Sequence, residues 1–533
     1  MKIIIVGAAL AGPTAAARAR EINEKAEIIL LERNTRVSYA MTGLAHYLSG
    51  EVTLLDDLNR EREDFFRDIY NIDVRPRTEV IHLDAKKHRI TIETMGRREE
   101  MSYDKLIFAS GAGSLRPLGA PKDAENFRYF RTLDDLEAIR ASLDANRKRF
   151  VVLGASSMGL EALDGLVRGG AEVTLIEKKS GILPEYSRAI TNLAHNSIAK
   201  KTRIITGFKE ITFSQQDKNI HTVTVDGEQI KTDFVVSAIG VKPRTEILKK
   251  AGVKLLANGA IPIDEKCRTN IENIYACSIC AAVPVGTEHY WIAQAALSDK
   301  TAQVAGENAA GGKARLVVAS ASQIIRLPDI EVGRVGIDRF GKNKVASVLV
   351  HASNIEPYMP AASPIALKLW YLKKNQQVVA LEAVGHRIKA RLDAMATAIQ
   401  GKLKLKDLAM LDFAYTPSMG TARDALNIAA TVALQQANGI TGIVTIDTVR
   451  TQRKKYLVLD VSEKETQTEF HDLYIPLERL RSSHEVIQQK LKKTKAKTVA
   501  LLSETGRRGH LAFRILQSFG FNVQNISGGK ASL

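Results

Sequence analysis

Short apolar runs stopped by glycine recur along the chain, and each is followed by a segment of different period. The run KIIIV (2–6) is closed by Gly7, and from Pro13 an alanine-rich, helix-favouring segment follows. Proline suits a first helical turn, so strand, tight turn and helix are predicted in that order. The next apolar run, AEIILLERN, is again strand-like and ends in Glu32. The same order returns in RFVVLGASSMGLEALDGLVRGGAEVTLIEKK, where a strand closed by Gly154 leads into a helix and a second strand ending in Glu177. Two shorter strands with glycine turns, LIFASGA (106–112) and FVVSAIGVKPRTE (234–246), lie between and after the repeats. Near the C-terminus a strand around Val499 to Leu502 is expected to pass through a loop into a helix after Gly509.

Composition narrows the class. At 533 residues the chain is expected to hold roughly three to four domains. Its 45% hydrophobic content supports large cores and not disorder. No apolar run reaches the roughly 18 residues of a membrane span, so none is expected. The N-terminal apolar run is read as a strand, not a signal segment, which makes a cytoplasmic location the expectation. Only Cys267, Cys277 and Cys280 are available, which excludes a disulfide framework. The formal net charge of +17 attracts polyanions through long-range steering. No nucleic-acid motif accompanies it, and the basic run KLKKTKAK (490–497) is read as a solvated face, so no nucleic-acid partner is expected.

A dinucleotide-binding turn wants glycine at its first, third and sixth positions: for the turn, for the approach of the pyrophosphate, and for helix–strand packing. Gly7, Ala9 and Gly12 occupy these places in the first repeat, and Gly154, Ser156 and Gly159 in the second. Ala9 narrows the space for a pyrophosphate without closing it; Ser156 fits less well. Glu32 stands where an acid accepts hydrogen bonds from an adenosine ribose, and Glu177 would favour NAD over NADP. For the second repeat, nucleotide binding and a Rossmann-like domain without its nucleotide both stay open.

With these features in place, the chain resembles the pyridine nucleotide-disulfide oxidoreductases, flavoproteins with two dinucleotide-binding domains. The likeness is to their CoA-disulfide reductase, NADH oxidase and persulfide reductase branch. It is carried by GAALAGPTAAARAR, SYAMTGL, ASGA, GLEALDGL, SAIGVKP and NIYACSICAAV, then by PYMPAASPIALKLWY and LDFAYTPSMGTARDALN, which match the branch's dimerisation domain. These stretches cover residues 1 to 440. The tail, with YLVLDVSEKE, IPLERL, VALLSETGRRGHLAFRILQSFGFNV and NISGG, resembles a rhodanese domain. The implied fold class is α/β, with two Rossmann-like domains, one inserted in the other. The FAD-binding domain would comprise 1–112 and 266–325, and the NAD-binding domain 113–265. An α+β dimerisation domain would span 326–440 and a rhodanese-like α/β domain 441–533.

The resemblance implies FAD and NADH as cofactors and a homodimer formed through 326–440. A redox partner protein or larger complex and a CoA-like ligand are further expectations. The cofactors would be held by Gly7, Ala9, Gly12, Glu32, Arg33, Val80, Ala109, Ser110, Gly111, Gly154, Gly159, Glu161, Glu177, Gly240 and Ile279.

The departures from the family pattern are chemical. Thr42 stands in place of the family's cysteine beside the flavin, and Ser503 in place of the rhodanese cysteine. A threonine hydroxyl is a poor nucleophile without a base and undergoes no thiol exchange, and a serine oxygen holds no sulfane sulfur. Ser278 and Ile279 replace a glycine and a flavin-binding aspartate, a loss worth roughly 1–3 kcal/mol for one polar partner. Of two active-site tyrosines, one is matched by Tyr358; the other falls on Met419, near Tyr415. Ser462 stands where an arginine usually follows the first rhodanese strand. Cys277 and Cys280 form a C-x-x-C, but they are read as small packed thiols, and no metal site is expected. His46, Trp291 and the pairs Arg18/Arg20 and Arg507/Arg508 each have a structural reading beside a ligand-binding one. Two functions remain: a flavoprotein oxidoreductase that passes electrons to an acceptor other than a disulfide, or a binding or structural subunit derived from such an enzyme.

Overall fold

The run KIIIV forms the central strand, Lys2–Val6, of a five-stranded parallel sheet. Ile3, Ile4 and Ile5 are wholly buried because both faces of the sheet are covered, which is why the run is continuous and not alternating. The order across the sheet is Ile274–Ala276, Lys105–Phe108, Lys2–Val6, Glu27–Leu31 and Asp73–Arg75. A second sheet has the order Arg203–Thr206, Glu172–Glu177, Arg149–Leu153, Phe234–Ser237 and Phe127–Tyr129, again all parallel. Its strands lie in the chain before the first sheet's last strand, so the first sheet is completed only after the second. The short strands Ala112–Ser114 and Val241–Pro243 pair antiparallel where the chain passes between the two sheets. The helix Ala11–Ile22 starts two residues earlier than Pro13 suggested. Pro13 still sits in the first turn, where its missing N–H is not needed.

This computed structural model describes residues 1–318, 320–337, 340–341, 343–465 and 470–532. Both parallel sheets belong to one unit, Met1–Leu183 with Thr202–Ala321; the other unit is Pro184–Lys201 with Ser322–Leu533. The second unit holds an antiparallel sheet in the order Gln323–Arg326, Glu331–Val335, Val378–Gly385, Pro364–Leu372 and Val345–Ser353. Its core is closed by Lys389–Gln400 and Ala425–Ala437. The same unit holds a parallel sheet in the order Ile443–Val444, Val523–Ile526, Thr498–Leu502, Tyr456–Asp460 and Leu473–Tyr474. The helix expected after Gly509 begins earlier, at Arg507. Gly506, at φ +90°, makes the turn that starts it, a conformation glycine adopts without strain. Among the described residues no helix is long and apolar enough to cross a membrane.

His351, on the strand Val345–Ser353, keeps its Nε2 buried and without a hydrogen-bond partner. Burial pushes its pKa down to about 4. The unfolded chain takes up this proton below about pH 6.5 while the folded chain refuses it until about pH 4. Stability is therefore lost as the pH falls through that window, by about 3 kcal/mol from this residue. Urea denaturation at both ends of the window should show His351→Leu losing less stability than the parent.

Candidate active site

Two loops in the first unit share one geometry. Gly7 and Gly154 leave their strands at φ +101° and +95°. A Cβ on Gly7 would lie 2.5 Å from the Ala109 carbonyl oxygen, and one on Gly154 2.6 Å from that of Ala238. A Cβ on Gly12 would lie 1.8 Å from the Gly7 oxygen, and one on Gly159 1.9 Å from the Gly154 oxygen. The amide of Ala8 donates to Glu32 at 2.7 Å, and the amide of Ala155 donates to Glu177 at 2.7 Å. Each turn thus draws its glycine against a neighbouring strand and ties the acid of the next strand to the loop. Glu32 also accepts from the Asn34 amide and side chain, both at 2.9 Å, and Glu177 from the Lys179 amide at 2.8 Å.

The first loop opens onto a cavity of about 940 Å³. That volume suits a large cofactor. Of the residues singled out by sequence, the cavity gathers Gly7, Ala9, Glu32, Arg33, Thr42, Val80, Ala109, Ser110, Gly111, Glu161 and Ile279. Gly12 packs beneath the loop. Gly154, Gly159, Glu177 and Gly240 are not among the lining residues. Tyr358 and Ser503 belong to the other unit. Tyr358 is 71% exposed there. Ser503 is wholly buried, and its Oγ accepts from the amides of Gly506 and Gly509 at 3.1 and 3.2 Å.

Thr42 lies in the 3-10 turn Met41–Gly43 and makes no hydrogen bond through its hydroxyl among the described residues. The following helix, Leu44–Leu48, packs on Ser157–Arg168 so closely that a Cβ on Gly165 would lie 2.6 Å from the Ala45 oxygen. This packing sets Thr42 and Glu161 on one cavity. Ile279 turns an apolar side chain to the cavity, and its carbonyl accepts the Trp291 indole N–H at 2.7 Å. Cys267, Cys277 and Cys280 are each wholly buried, and none lines the cavity. Burial pushes all three thiols up, away from the reactive thiolate.

Beyond Arg33, the sequence did not single out the cavity's guanidinium groups. Arg131 and Arg244 line it, and neither side chain has a hydrogen bond or ion pair among the described residues. Burial, then the nearby charges of Arg33 and Arg131, push Arg244 down to about 10. Two neighbouring guanidinium groups with no carboxylate bonded to either suit an anion such as a diphosphate. One local signal marks Arg131: it precedes the capping box that Thr132 and Asp135 form for the helix Leu133–Asp144. Arg244, by contrast, reaches the cavity only because Val241–Pro243 folds back on Ala112–Ser114.

Several other expectations take their structural form. His46 bonds Glu51 at 2.6 Å. Arg18 pairs with Glu21 and Glu307. Arg20 is not a surface charge: it is 4% exposed and donates to the carbonyls of Glu24, Tyr70 and Asn71. Arg508 donates to the Val461 carbonyl and pairs with Glu478.

A family model described as pyridine nucleotide-disulphide oxidoreductase matches residues 1–307. An NADH oxidase of Methanocaldococcus jannaschii is 29% identical over 455 residues, covering 82% of this chain and 99% of that protein. A coenzyme A disulfide reductase of Staphylococcus haemolyticus is 26% identical, covering 80% of this chain and 98% of its own. Among solved structures, a NAD-dependent persulfide reductase from A. fulgidus aligns over 100% of both chains with a TM-score of 0.90 at 28% identity. Paired dinucleotide loops, a cavity suited to a diphosphate and this match over more than half the length agree: the chain belongs to the pyridine nucleotide-disulphide oxidoreductase family, whose cofactors are FAD and NAD(P)H.

Proposed function

We propose that the protein is an FAD-binding, NADH-dependent oxidoreductase that delivers electrons to an acceptor other than a disulfide. The observation that carries this reading is the cavity's lack of any thiol: Thr42 faces it while all three cysteines are buried elsewhere. FAD supplies the electron-carrying chemistry when bound, and the protein holds and tunes it. Glu32 would accept from the ribose, Gly7, Ala9 and Gly12 would admit the diphosphate, and Arg131 and Arg244 would neutralise it. Gly154, Gly159 and Glu177 would hold NADH. The strands and helices within 326–440 would form a homodimer interface that includes the exposed Tyr358. The sheet within 441–533 is read as a rhodanese-like domain whose loop, with Ser503 buried and bonded, carries no sulfur. A redox partner protein or a CoA-like ligand is compatible with this scheme.

The test is the visible spectrum of the purified protein. Flavin absorbance is expected, and anaerobic NADH should bleach it. NADPH should do so far more slowly, because its 2′-phosphate would meet the Glu177 carboxylate. A colourless preparation that neither binds added FAD nor oxidises NADH would instead establish a scaffold derived from such an enzyme. That alternative is favoured by one feature, the apolar Ile279 on the cavity.

A further inference from the structure

Two basic segments, far apart in the chain, lie side by side at one edge of the parallel sheet in the second unit. The strands Tyr456–Asp460 and Thr498–Leu502 pair with Tyr456 opposite Thr498, and the Lys497 amide donates to the Lys455 carbonyl at 3.2 Å. The run KLKKTKAK, a solvated face when read alone, is therefore continued by Arg453, Lys454 and Lys455. All five strands run the same way, so this edge is opposite the one where Ser503 follows its strand. The arginines here are engaged: Arg453 holds Asp472 at 2.6 Å, and Arg514 donates to the Ile440 carbonyl. The lysines are not. Lys454, Lys490, Lys492, Lys493, Lys495 and Lys497 are exposed, and their side chains make no hydrogen bond or ion pair among the described residues. Two exposed apolar side chains accompany them. Val486, 48% exposed, lies one turn before Lys490 on the same face of the helix His484–Lys492. Phe519, 43% exposed, stacks its ring on His484 at 4.3 Å.

We infer that this edge docks the protein on the surface of an anionic lipid membrane. The inference stands apart from the oxidoreductase reading. Six ammonium groups without a carboxylate repel one another, and a negative surface relieves that repulsion for all of them at once. The kind of cation selects the partner. Lysine is a hydrated point charge on a flexible stem, so it follows lipid headgroups that themselves move. The fixed phosphates of a nucleic acid and the carboxylates of a protein favour arginine's planar fork. Protein interfaces are also depleted in lysine and enriched in arginine and aromatic rings. Single-stranded nucleic acids need aromatic platforms for successive bases, and the Phe519 ring is already stacked on a histidine. Val486 and Phe519 instead supply the apolar part of an interfacial contact. Attachment is peripheral, since no described helix is long and apolar enough to cross a bilayer. It leaves the Ser503 loop, at the opposite edge of the sheet, uncovered.

The experiment sediments the full chain with vesicles of phosphatidylcholine alone, or of phosphatidylcholine with about one-third phosphatidylglycerol. Binding is expected on the anionic vesicles, and should be lost without phosphatidylglycerol or at about 0.5 M salt, where the attraction is screened. Lys492→Gln/Lys493→Gln/Lys495→Gln should lower the partition coefficient about 100-fold, at roughly fivefold per lysine. Lys454→Gln/Lys497→Gln, which draws on both segments, should lower it about 25-fold on the same scale. The control, Lys200→Gln/Lys209→Gln/Lys231→Gln, removes three exposed lysines elsewhere and should change it by less than about threefold. Equal losses in the control and the first variant would assign binding to net charge and overturn the proposal, as would equal binding to both kinds of vesicle. Poly(U) RNA and polyglutamate at matched charge serve as competitors. Release of the protein from the vesicles by either makes a nucleic acid or an acidic protein the partner, and the lipid assignment then falls.

Discussion

Gly12→Ala is expected to strip the protein of its flavin, lowering affinity roughly 100-fold, while the chain still folds. A Cβ at this position would stand 1.8 Å from the Gly7 carbonyl oxygen and 3.2 Å from the Leu30 side chain. The first obstacle is backbone, so no rotamer change relieves it. The loop and the start of the helix Ala11–Ile22 must part, which costs about 3 kcal/mol and moves the amides that face the cavity. Gly181→Ala is the control, because its Cβ would meet nothing within 4 Å. Flavin per polypeptide, read from absorbance after gel filtration, should be near the parent's for Gly181→Ala and near zero for Gly12→Ala. Full retention in Gly12→Ala would mean that the loop does not position the cofactor.

In the second unit, Arg391→Met is expected to lower stability by about 3–5 kcal/mol. Arg391 is 5% exposed and Asp424 9%, and their closest contact is 2.8 Å. Arg391 further donates to the carbonyls of Arg387 and Asn354, while Asp424 caps the helix Ala425–Ala437 by accepting from the Leu426 amide. Removing the guanidinium leaves a buried carboxylate with only its capping bonds. Adding Asp424→Asn should recover part of the loss, because the amide keeps an acceptor for the cap without the charge. Trp370 lies in this unit and Trp291 in the other, so urea unfolding followed by fluorescence in a Trp291→Phe background isolates the response. A loss below 1 kcal/mol would show that the pair is not a buried tie.

The loops at Gly7 and Gly154 were legible in the sequence because their geometry is enforced locally. Only glycine accepts the positive φ after each strand, and only glycine leaves room where helix and strand cross. The apolar runs were legible for a related reason: strands buried on both faces need no alternation, so four or five consecutive apolar residues suffice. Helix starts were read less well. Pro13 and Gly509 mark boundaries in the sequence, whereas Ala11 and Arg507 begin the helices, since hydrogen bonding and a left-handed glycine at 506 set those ends. The segment Pro184–Lys201 lies between strands of the second parallel sheet in sequence, yet it belongs to the second unit. There the Ser187 amide donates to the nearly buried Glu382 at 3.0 Å, a tie between residues far apart in the chain.

By itself the sequence determined the two dinucleotide loops, their acids Glu32 and Glu177, and the oxygen at positions 42 and 503, because residue type alone limits what those places can do. The tertiary structure decided which charges are satisfied. Arg20 reads as a surface cation and is instead buried on carbonyls; Arg131 and Arg244 come from distant segments and share one cavity with no carboxylate bonded to either. Partnership is a property of three-dimensional proximity, and a polar side chain's chemistry follows from what it touches once water is excluded.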